Sequence, residues 1–543
     1  MPNFDPYLGE IPHKAPGPLE KTMVLIGFMG AGKTTVGGIL SKLLRRPLVD
    51  LDEALEKSEG LDIPTIFATK GEDYFRERET AQLAERVNQA DLTILAAGGG
   101  VVERAINRDL LKSAKTYYLQ APVADLWSRL TGPEKDHRPL AQDKEGFFKR
   151  FQKRKALYLA AGEPISATND PLTIAQEIAN DYLAGPDFVL RTEGHETLIR
   201  TSLSPAKIFF RLKELAQSHR LLILLDRAFL SEAELFQDLG PNVLVHFPEK
   251  GGEEAKTLRE AEKLLTLMTE RGLDRSDYLI AKGGGALTDL GAFTAGLFKR
   301  GLNLALWPTT LLGAVDAAIG GKTAINLLGA KNQVGHFYLP KEVWLEPQTL
   351  AEAPTHLIAE GLVEALKTGL LFDQDLVNLI LTRLEWLLKG DVPLILEVAR
   401  RSAWAKAQLV EKDFREEKGT RDVLNLGHTY GHAVESFNAP TVSHGRAVAL
   451  GLAVALEVSK DFGFPVRLAD DLVTLLARLA SGFPPLPSKE ETLRLLTFDK
   501  KIRDGRLKFV VLKGLAEPLL VTSFDPEQAL AAADQVANRL PAY

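Results

Sequence analysis

The stretch Arg421-Asp-Val-Leu-Asn425-Leu-Gly-His428-Thr-Tyr-Gly-His432-Ala-Val-Glu435, followed by His444-Gly445, decides how the larger part of this chain is read. Three of the ten histidines of the chain lie in it. From Thr429 onward the pattern is helical, so His428 and His432, four apart, can face one cleft. His444 follows a short break at Asn438, Pro440 and Ser443 and precedes a second predicted helix, Gly445–Ser459. Imidazoles converging from two segments suit a borderline metal, and one carboxylate would complete a three-ligand catalytic zinc site. Four-spaced histidines also occur as surface or capping residues. Here Arg421, Asn425 and Glu435 crowd the same segment, which argues for chemistry.

The same residues carry a family resemblance. Arg-x-x-Leu-Asn-x-Gly-His-Thr-x-Gly-His-Ala-x-Glu, with His-Gly after it, resembles 3-dehydroquinate synthase. The resemblance implies that His428 and His444 bind zinc together with Glu364, which lies in Glu360-Gly-Leu-Val-Glu364-Ala-Leu-Lys367. It also implies that Lys367, Arg421, Asn425 and His432 contact a phosphorylated substrate. Glu364 and Lys367 are three apart on a predicted helix, so one turn can offer a metal ligand and a phosphate-binding cation side by side.

Composition sets outer bounds. A chain of 543 residues has room for about three to four domains with buried cores. Its 45% hydrophobic and 25% charged content is that of a globular protein, not a disordered one. A net charge of -6 leaves no electrostatic footprint for nucleic acid. The absence of cysteine excludes disulfides, thiolate metal sites and thiol nucleophiles. No apolar run has membrane-spanning length and no signal-peptide core is present, so a cytoplasmic enzyme without a membrane partner is expected. Residues 1–19, rich in proline and glycine, read as a flexible tail.

A second motif opens the first domain, assigned to residues 20–185. The apolar run from Thr22 ends at Gly27-Phe-Met-Gly30-Ala-Gly32-Lys33-Thr34-Thr35, which satisfies G-x-x-x-x-G-K-[ST] between a strand and a helix. Its glycines let backbone N–H groups cradle phosphate, Lys33 reaches the β and γ phosphates, and Thr34 holds Mg²⁺. Asp50 and Asp52 follow the next strand, where open α/β sheets bind ligands. Then come Phe75-Arg76-x-x-Glu79, Gly98-Gly99-Gly100, His137-Arg138-Pro139-Leu140 and Arg154-x-x-Leu157-Tyr158. In order and spacing this set is similar to shikimate kinase. The resemblance implies that Asp52 binds substrate hydroxyls, Arg76 and Arg154 clamp its carboxylate, and Gly98, Gly99 and Gly100 let backbone approach its ring. Arg138 would close over the ATP phosphates and Asp50 would orient Mg²⁺ beside Thr34. Gluconate kinase shares the loop and architecture; arginines either side of a triple glycine favour shikimate.

Leu183-Ala-Gly-Pro186 breaks the last helix of this domain, and 188–191 with 197–201 read as a hairpin opening the next. Strand–helix alternation runs to about residue 345, giving an NAD-binding α/β half at 186–345 and a mostly helical half at 346–543. Gly283-Gly284-Gly285-Ala-Leu-Thr-Asp289 after a strand is not G-x-G-x-x-G, yet reads as a phosphate-binding turn before a helix. The synthase resemblance implies NAD there, lined by Asp226, Glu253, Lys256, Gly284, Gly285, Asp289, Thr309, Thr310, Lys331 and Asn332. It places Arg300, Asp316, Lys322 and Lys500 at the substrate. Ala228 stands where the family often has Asn. The segment from Lys406 to Arg421 is one residue longer, near Arg415–Gly419, which leaves Lys406 unassigned.

The whole reads as a P-loop kinase domain followed by a Rossmann-like α/β domain and a helical metal-binding domain, resembling a fusion of shikimate kinase and 3-dehydroquinate synthase. The resemblance implies two activities of aromatic amino acid biosynthesis. One is ATP-dependent phosphorylation of shikimate at its 3-hydroxyl. The other is cyclisation of DAHP, a seven-carbon phosphorylated sugar acid, to 3-dehydroquinate with loss of phosphate, through reversible oxidation by NAD. The cofactors expected are NAD, Zn²⁺ or Co²⁺, and Mg²⁺ with ATP; a homodimer through the synthase half is the oligomeric expectation. A different sugar-phosphate cyclase, a metal-dependent polyol dehydrogenase or a catalytically dead scaffold are the alternatives.

Overall fold

The computed structural model describes residues 21–88, 92–130, 143–192, 194–438, 441–498 and 507–539. Residues 1–19, Arg138 and Lys500 lie outside them. The chain divides into two compact units: one runs to Ala184 and takes in Asp391–Pro393, the other comprises Gly185–Gly390 and the residues from Leu394 onward.

The first unit is built on a five-stranded parallel sheet, in the order Leu48–Asp50, Ile94–Ala96, Met23–Ile26, Lys115–Gln120, Glu163–Ser166. The central strand Met23–Ile26 is buried at every position, as a strand covered on both faces requires. Helix Lys33–Leu44 starts directly after it, with Gly30 and Gly32 in the left-handed region (φ 82° and 84°) that the phosphate-loop turn demands. The carboxylate-bearing Asp50 ends the edge strand and caps the helix Leu51–Glu59. The phosphate loop and Asp50 thus gather at the carboxyl ends of their strands.

In the second unit a seven-stranded sheet runs Phe188–Thr192, His195–Arg200, Glu342–Trp344, Asn303–Pro308, Tyr278–Gly283, Leu221–Leu225, Val243–His246. Only the first pair, the predicted hairpin, is antiparallel. Strand Tyr278–Gly283 delivers Gly284 to the N-terminus of helix Gly285–Leu297, so the glycine turn does precede a helix. Beyond Trp344 the chain is helical apart from a hairpin of Phe509–Gly514 with Glu517–Val521. Among the described residues no helix is long and apolar enough to cross a membrane.

Three helices of the second half position the histidine cluster. Helix Thr355–Phe372 is buried over most of its length and carries Glu364 and Lys367. The predicted histidine helices span His428–Asn438 and His444–Ser459, each one residue longer at its start than the sequence pattern suggested. They pack backbone to backbone: a Cβ on Gly451 would collide with the carbonyl of Gly427 and lie 2.8 Å from the Gly431 amide nitrogen. Only glycine allows that approach.

Gly451→Ala would gain about 1 kcal/mol of helix propensity. It would lose about 3 kcal/mol or more to overpacking, because the obstruction is backbone that cannot rotate away. Urea denaturation should therefore show the second unit destabilised by about 2 kcal/mol or more. An unchanged midpoint would mean that the two helices can part at no cost.

Candidate active sites

In the first unit the phosphate loop closes on its own lysine: Lys33 Nζ donates to the Gly27 carbonyl at 3.0 Å. Thr34 and Thr35 are exposed on the first turn. The Thr34 hydroxyl donates to Asp50 Oδ2 at 2.7 Å, so a hydroxyl and a carboxylate oxygen adjoin at the loop. Hard oxygen donors open to solvent fit Mg²⁺ held jointly with phosphate.

Beside this loop the triple glycine is packed against the acidic and basic groups predicted to meet substrate. A Cβ on Gly98 would lie 2.5 Å from Asp52 Oδ1, and one on Gly100 would strike the Arg76 guanidinium. Arg154 NH1 donates to the Gly99 carbonyl at 3.0 Å, and Tyr158 donates its hydroxyl to the same oxygen. Arg76 pairs with Glu79 at 3.0 Å and Glu72 at 3.2 Å. Burial pushes Asp52 up from the usual carboxylate range, with Asp50 adding to the effect. Burial also raises Glu79 to about 7 against the pull of Arg76. Asp52, Arg76, Gly98, Gly99, Gly100 and Arg154 are therefore brought together. Glu103, which sequence reading passed over, joins them by accepting from Arg154 Nε at 2.8 Å.

In the second unit Glu364 is 1% exposed, and its Oε1 faces His428 Nε2 at 3.2 Å and His444 Nε2 at 3.5 Å. Both carboxylate oxygens lack a well-directed hydrogen-bond partner, although Lys367 Nζ stands 2.6 Å from Oε2. The other ring nitrogens are engaged: His428 Nδ1 with the Leu426 carbonyl at 3.2 Å, His444 Nδ1 with Glu435 Oε2 at 3.0 Å. Those acceptors engage each Nδ1, so Nε2 is the ring atom that faces Glu364 in both histidines. Burial and the nearby Lys367 push His428 down, keeping it neutral and able to ligate. Burial opposes a charge on His444, yet the flanking carboxylates of Glu364 and Glu435 raise it to about 10. The field between two carboxylates favours a cation there, and a metal ion answers it as a proton does.

One atom each from Glu364, His428 and His444 lies within 4.8 Å of the others, so the trio fits a divalent metal. A second grouping of His432, Glu435 and His444 is equally close. It is the weaker set, because Glu435 already holds His444 Nδ1 through one oxygen and Lys331 at 2.6 Å through the other. The His432 ring stands 5.3 Å from that of His428, edge on, and faces the cavity beside them.

That cavity, about 800 Å³, is on the scale of a cofactor pocket. It joins the histidines to Glu253, Lys256, Gly285, Asp289, Asp316, Lys331 and Asn332. Gly284 caps the helix without a side-chain hydrogen bond; the Leu287 amide donates to the Gly284 carbonyl, which leaves the amides of Gly285 and Ala286 at the helix start to meet an anion. Buried Lys256 donates to Asp289 at 2.7 Å and to Asn332 at 2.6 Å. Burial lifts Asp289 to about 6 despite Lys256. The Thr309 amide donates to the Gly283 carbonyl, and Thr310 Oγ1 accepts from the Gly313 amide, so both threonines brace the turn. Asp226 ends the neighbouring strand and accepts from the Ala228 amide at 3.0 Å. A glycine-walled, amide-lined cavity of this size fits a dinucleotide.

The substrate cations predicted for this unit divide. Lys367, Asp316 and Arg421 converge, and Lys406, left unassigned on sequence, joins them with Nζ 2.6 Å from Asp316 Oδ1. Arg421 donates to the Phe414 carbonyl at 3.0 Å from the short turn Thr420–Asn425, which also carries Asn425. Lys322 is more than half exposed and pairs with Glu416, which also lies 3.3 Å from Arg421. Glu416 sits at φ 58° in the lengthened Arg415–Gly419 segment. Arg300 is not at this site: it lines a separate cavity of about 530 Å³ with Arg275 and Lys341.

The comparisons follow this division of the chain. The family model for shikimate kinase matches residues 29–183, and those for the N-terminal and C-terminal parts of 3-dehydroquinate synthase match 246–360 and 361–502. A bifunctional shikimate kinase/3-dehydroquinate synthase of Thermotoga maritima is 33% identical over 518 residues, 94% of this chain and 99% of that protein. The chain belongs to this bifunctional family. Its first unit is a shikimate kinase and its second a 3-dehydroquinate synthase. A 3-dehydroquinate synthase of Sulfolobus acidocaldarius is 38% identical over 266 residues, 48% of this chain and 75% of its own length. A solved 2-epi-5-epi-valiolone synthase from Streptomyces hygroscopicus superposes with TM-score 0.56 at 23% identity over 66% of this chain and all of that one, a likeness of fold.

If Glu435 orients His444, Glu435→Gln should weaken binding of zinc about 10- to 100-fold without removing a ligand. Zinc retention during dialysis against graded chelator measures this. Retention equal to that of the unaltered protein would leave Glu435 without that role.

Proposed function

We propose that the kinase unit binds ATP–Mg²⁺ on Gly27, Gly30, Gly32, Lys33, Thr34 and Thr35, with Asp50 orienting the metal. Shikimate lies on Gly98–Gly100, its carboxylate between Arg76 and Arg154. Asp52 holds the hydroxyls and, raised by burial, is a better acceptor for the proton of the attacking one. Lys33 stabilises the transferring phosphoryl group, and Arg138 closes over it.

In the synthase unit Glu364, His428 and His444 hold zinc, and NAD occupies the cavity along Glu253, Lys256, Gly285, Asp289, Lys331 and Asn332, reaching on to Gly284, Thr309, Thr310 and Asp226. When bound, the metal supplies Lewis-acid polarisation and the dinucleotide reversible oxidation of a substrate hydroxyl. Lys367, Arg421, Asn425, Lys322 and Lys406 bind the phosphate and carboxylate of DAHP, and Asp316 keeps Lys406 charged where burial and Arg421 disfavour it. His432, beside the ligands and facing the cavity, is positioned to move protons at the substrate. The observation that carries this reading is the convergence of the His428 and His444 Nε2 atoms on the buried Glu364 carboxylate. The valiolone synthase of like fold was solved with NAD⁺ and Zn²⁺ bound, which agrees with that chemistry.

Phosphate release from DAHP, assayed with and without NAD⁺ and zinc, tests it. Chelating zinc and then supplying excess Mg²⁺ should abolish phosphate release while ATP-dependent shikimate phosphorylation continues. Equal loss of both activities would remove the metal from the synthase alone. His444→Ala should lower zinc content, whereas His432→Ala should keep zinc and lose turnover; the reverse pattern of zinc loss would exchange their roles.

Lys33→Ala removes the cation that stabilises the transferring phosphoryl group and should cut kinase turnover on the order of a thousandfold, with the synthase rate unchanged. A variant that keeps most of its kinase turnover would refute the phosphate-loop assignment.

A further inference from the structure

The two arginines assigned to the shikimate carboxylate are already spanned by a carboxylate of the protein. Glu103 Oε1 accepts from Arg154 Nε at 2.8 Å, and Glu103 Oε2 stands 3.8 Å from Arg76 NH2. Its side chain is 25% exposed, so water and ligand can reach it. The backbone holds it there: the Glu103 amide donates to the Gly100 carbonyl at 2.9 Å, and Arg108 donates to the Glu103 carbonyl at 2.9 Å. Arg76 carries two further carboxylates, buried Glu79 and exposed Glu72. The clamp is therefore charge-saturated by its own neighbours, and an incoming anion meets Glu103 before it meets an unoccupied guanidinium.

We propose that Glu103 is a resident counter-ion of the carboxylate clamp, a positioning residue that aligns Arg76 and Arg154 and that the carboxylate of shikimate must displace. The inference rests on the assignment of those arginines to the substrate carboxylate. Two like charges a few ångströms apart in a partly buried cleft repel by enough to shift an equilibrium about tenfold. Glu103 thereby sets shikimate affinity below what the two arginines alone would give. It also makes the clamp selective: a neutral ligand cannot compete for the guanidinium groups.

Equilibrium binding to the full-length protein tests this, with shikimate and its uncharged methyl ester as probes. Glu103→Gln keeps an oxygen acceptor for Arg154 but removes the charge. It should bind shikimate about tenfold more tightly while affinity for the ester changes less than twofold. Glu103→Asp, which keeps the charge, should show no such gain. Unchanged or weaker shikimate binding by the glutamine variant would overturn the proposal. So would a parallel change for acid and ester, the signature of a purely structural residue. Should the glutamine variant fail to fold, Glu103→Asn, which also offers an amide oxygen without the charge, carries the same two expectations. Arg154→Ala separates the two levels: it should weaken shikimate but not the ester, and if it does neither, the clamp assignment itself falls.

Discussion

The synthase unit depends on one costly burial, that of the Glu364 carboxylate. Burying a charge costs several kcal/mol unless partners compensate for it. At Glu364 burial pushes the carboxyl up, and Lys367, His428 and His444 outweigh it, so the group stays ionised well below the usual range. The compensation continues outward. Lys367 is held charged by Glu364 and Asp316 together, and Asp316 in turn pairs with Lys406. A chain of alternating charges thus runs from Glu364 through Lys367 and Asp316 to Lys406. Removing one member leaves its neighbour buried and unpaired, which is why the helix carrying Glu364 and Lys367 must sit against both histidine helices.

The glycine contacts serve that requirement. Gly427, Gly431 and Gly451 bring two helix backbones together, and a Cβ on Gly445 would lie 2.5 Å from the Glu360 side chain, one turn before Glu364. Close backbone approach fixes where His428 and His444 point to within the tolerance that a metal site sets. The kinase unit uses the same device differently. Its triple glycine admits Asp52 and Arg76 to the floor of the site, where bulkier residues would displace them.

Contiguous motifs were legible before any coordinates. The phosphate loop is such a case, because its turn, its lysine and the helix amides are all fixed by spacing within one strand–turn–helix. The same holds for His428 with His432 on one helix, and for Glu364 with Lys367 one turn apart. The strand hairpin after Gly185 and the helix after Gly284 were also readable, since alternation and glycine placement are local signals.

What sequence alone determined is therefore the set of chemical groups and their local geometry: two nucleotide turns, a histidine pair, and an arginine either side of a triple glycine. Tertiary structure decided which groups meet. Lys406 reaches Asp316 across 90 positions, Glu103 reaches Arg154 across 51, and no local pattern encodes either distance. It also paired Glu435 with His444 Nδ1 and Lys331, and set Arg300 on a different cavity from Asp316. The physical reason is that propensity and periodicity act over a few residues, whereas ion pairing acts through space. Packing of buried surface brings distant segments together, and only then do their charges choose partners.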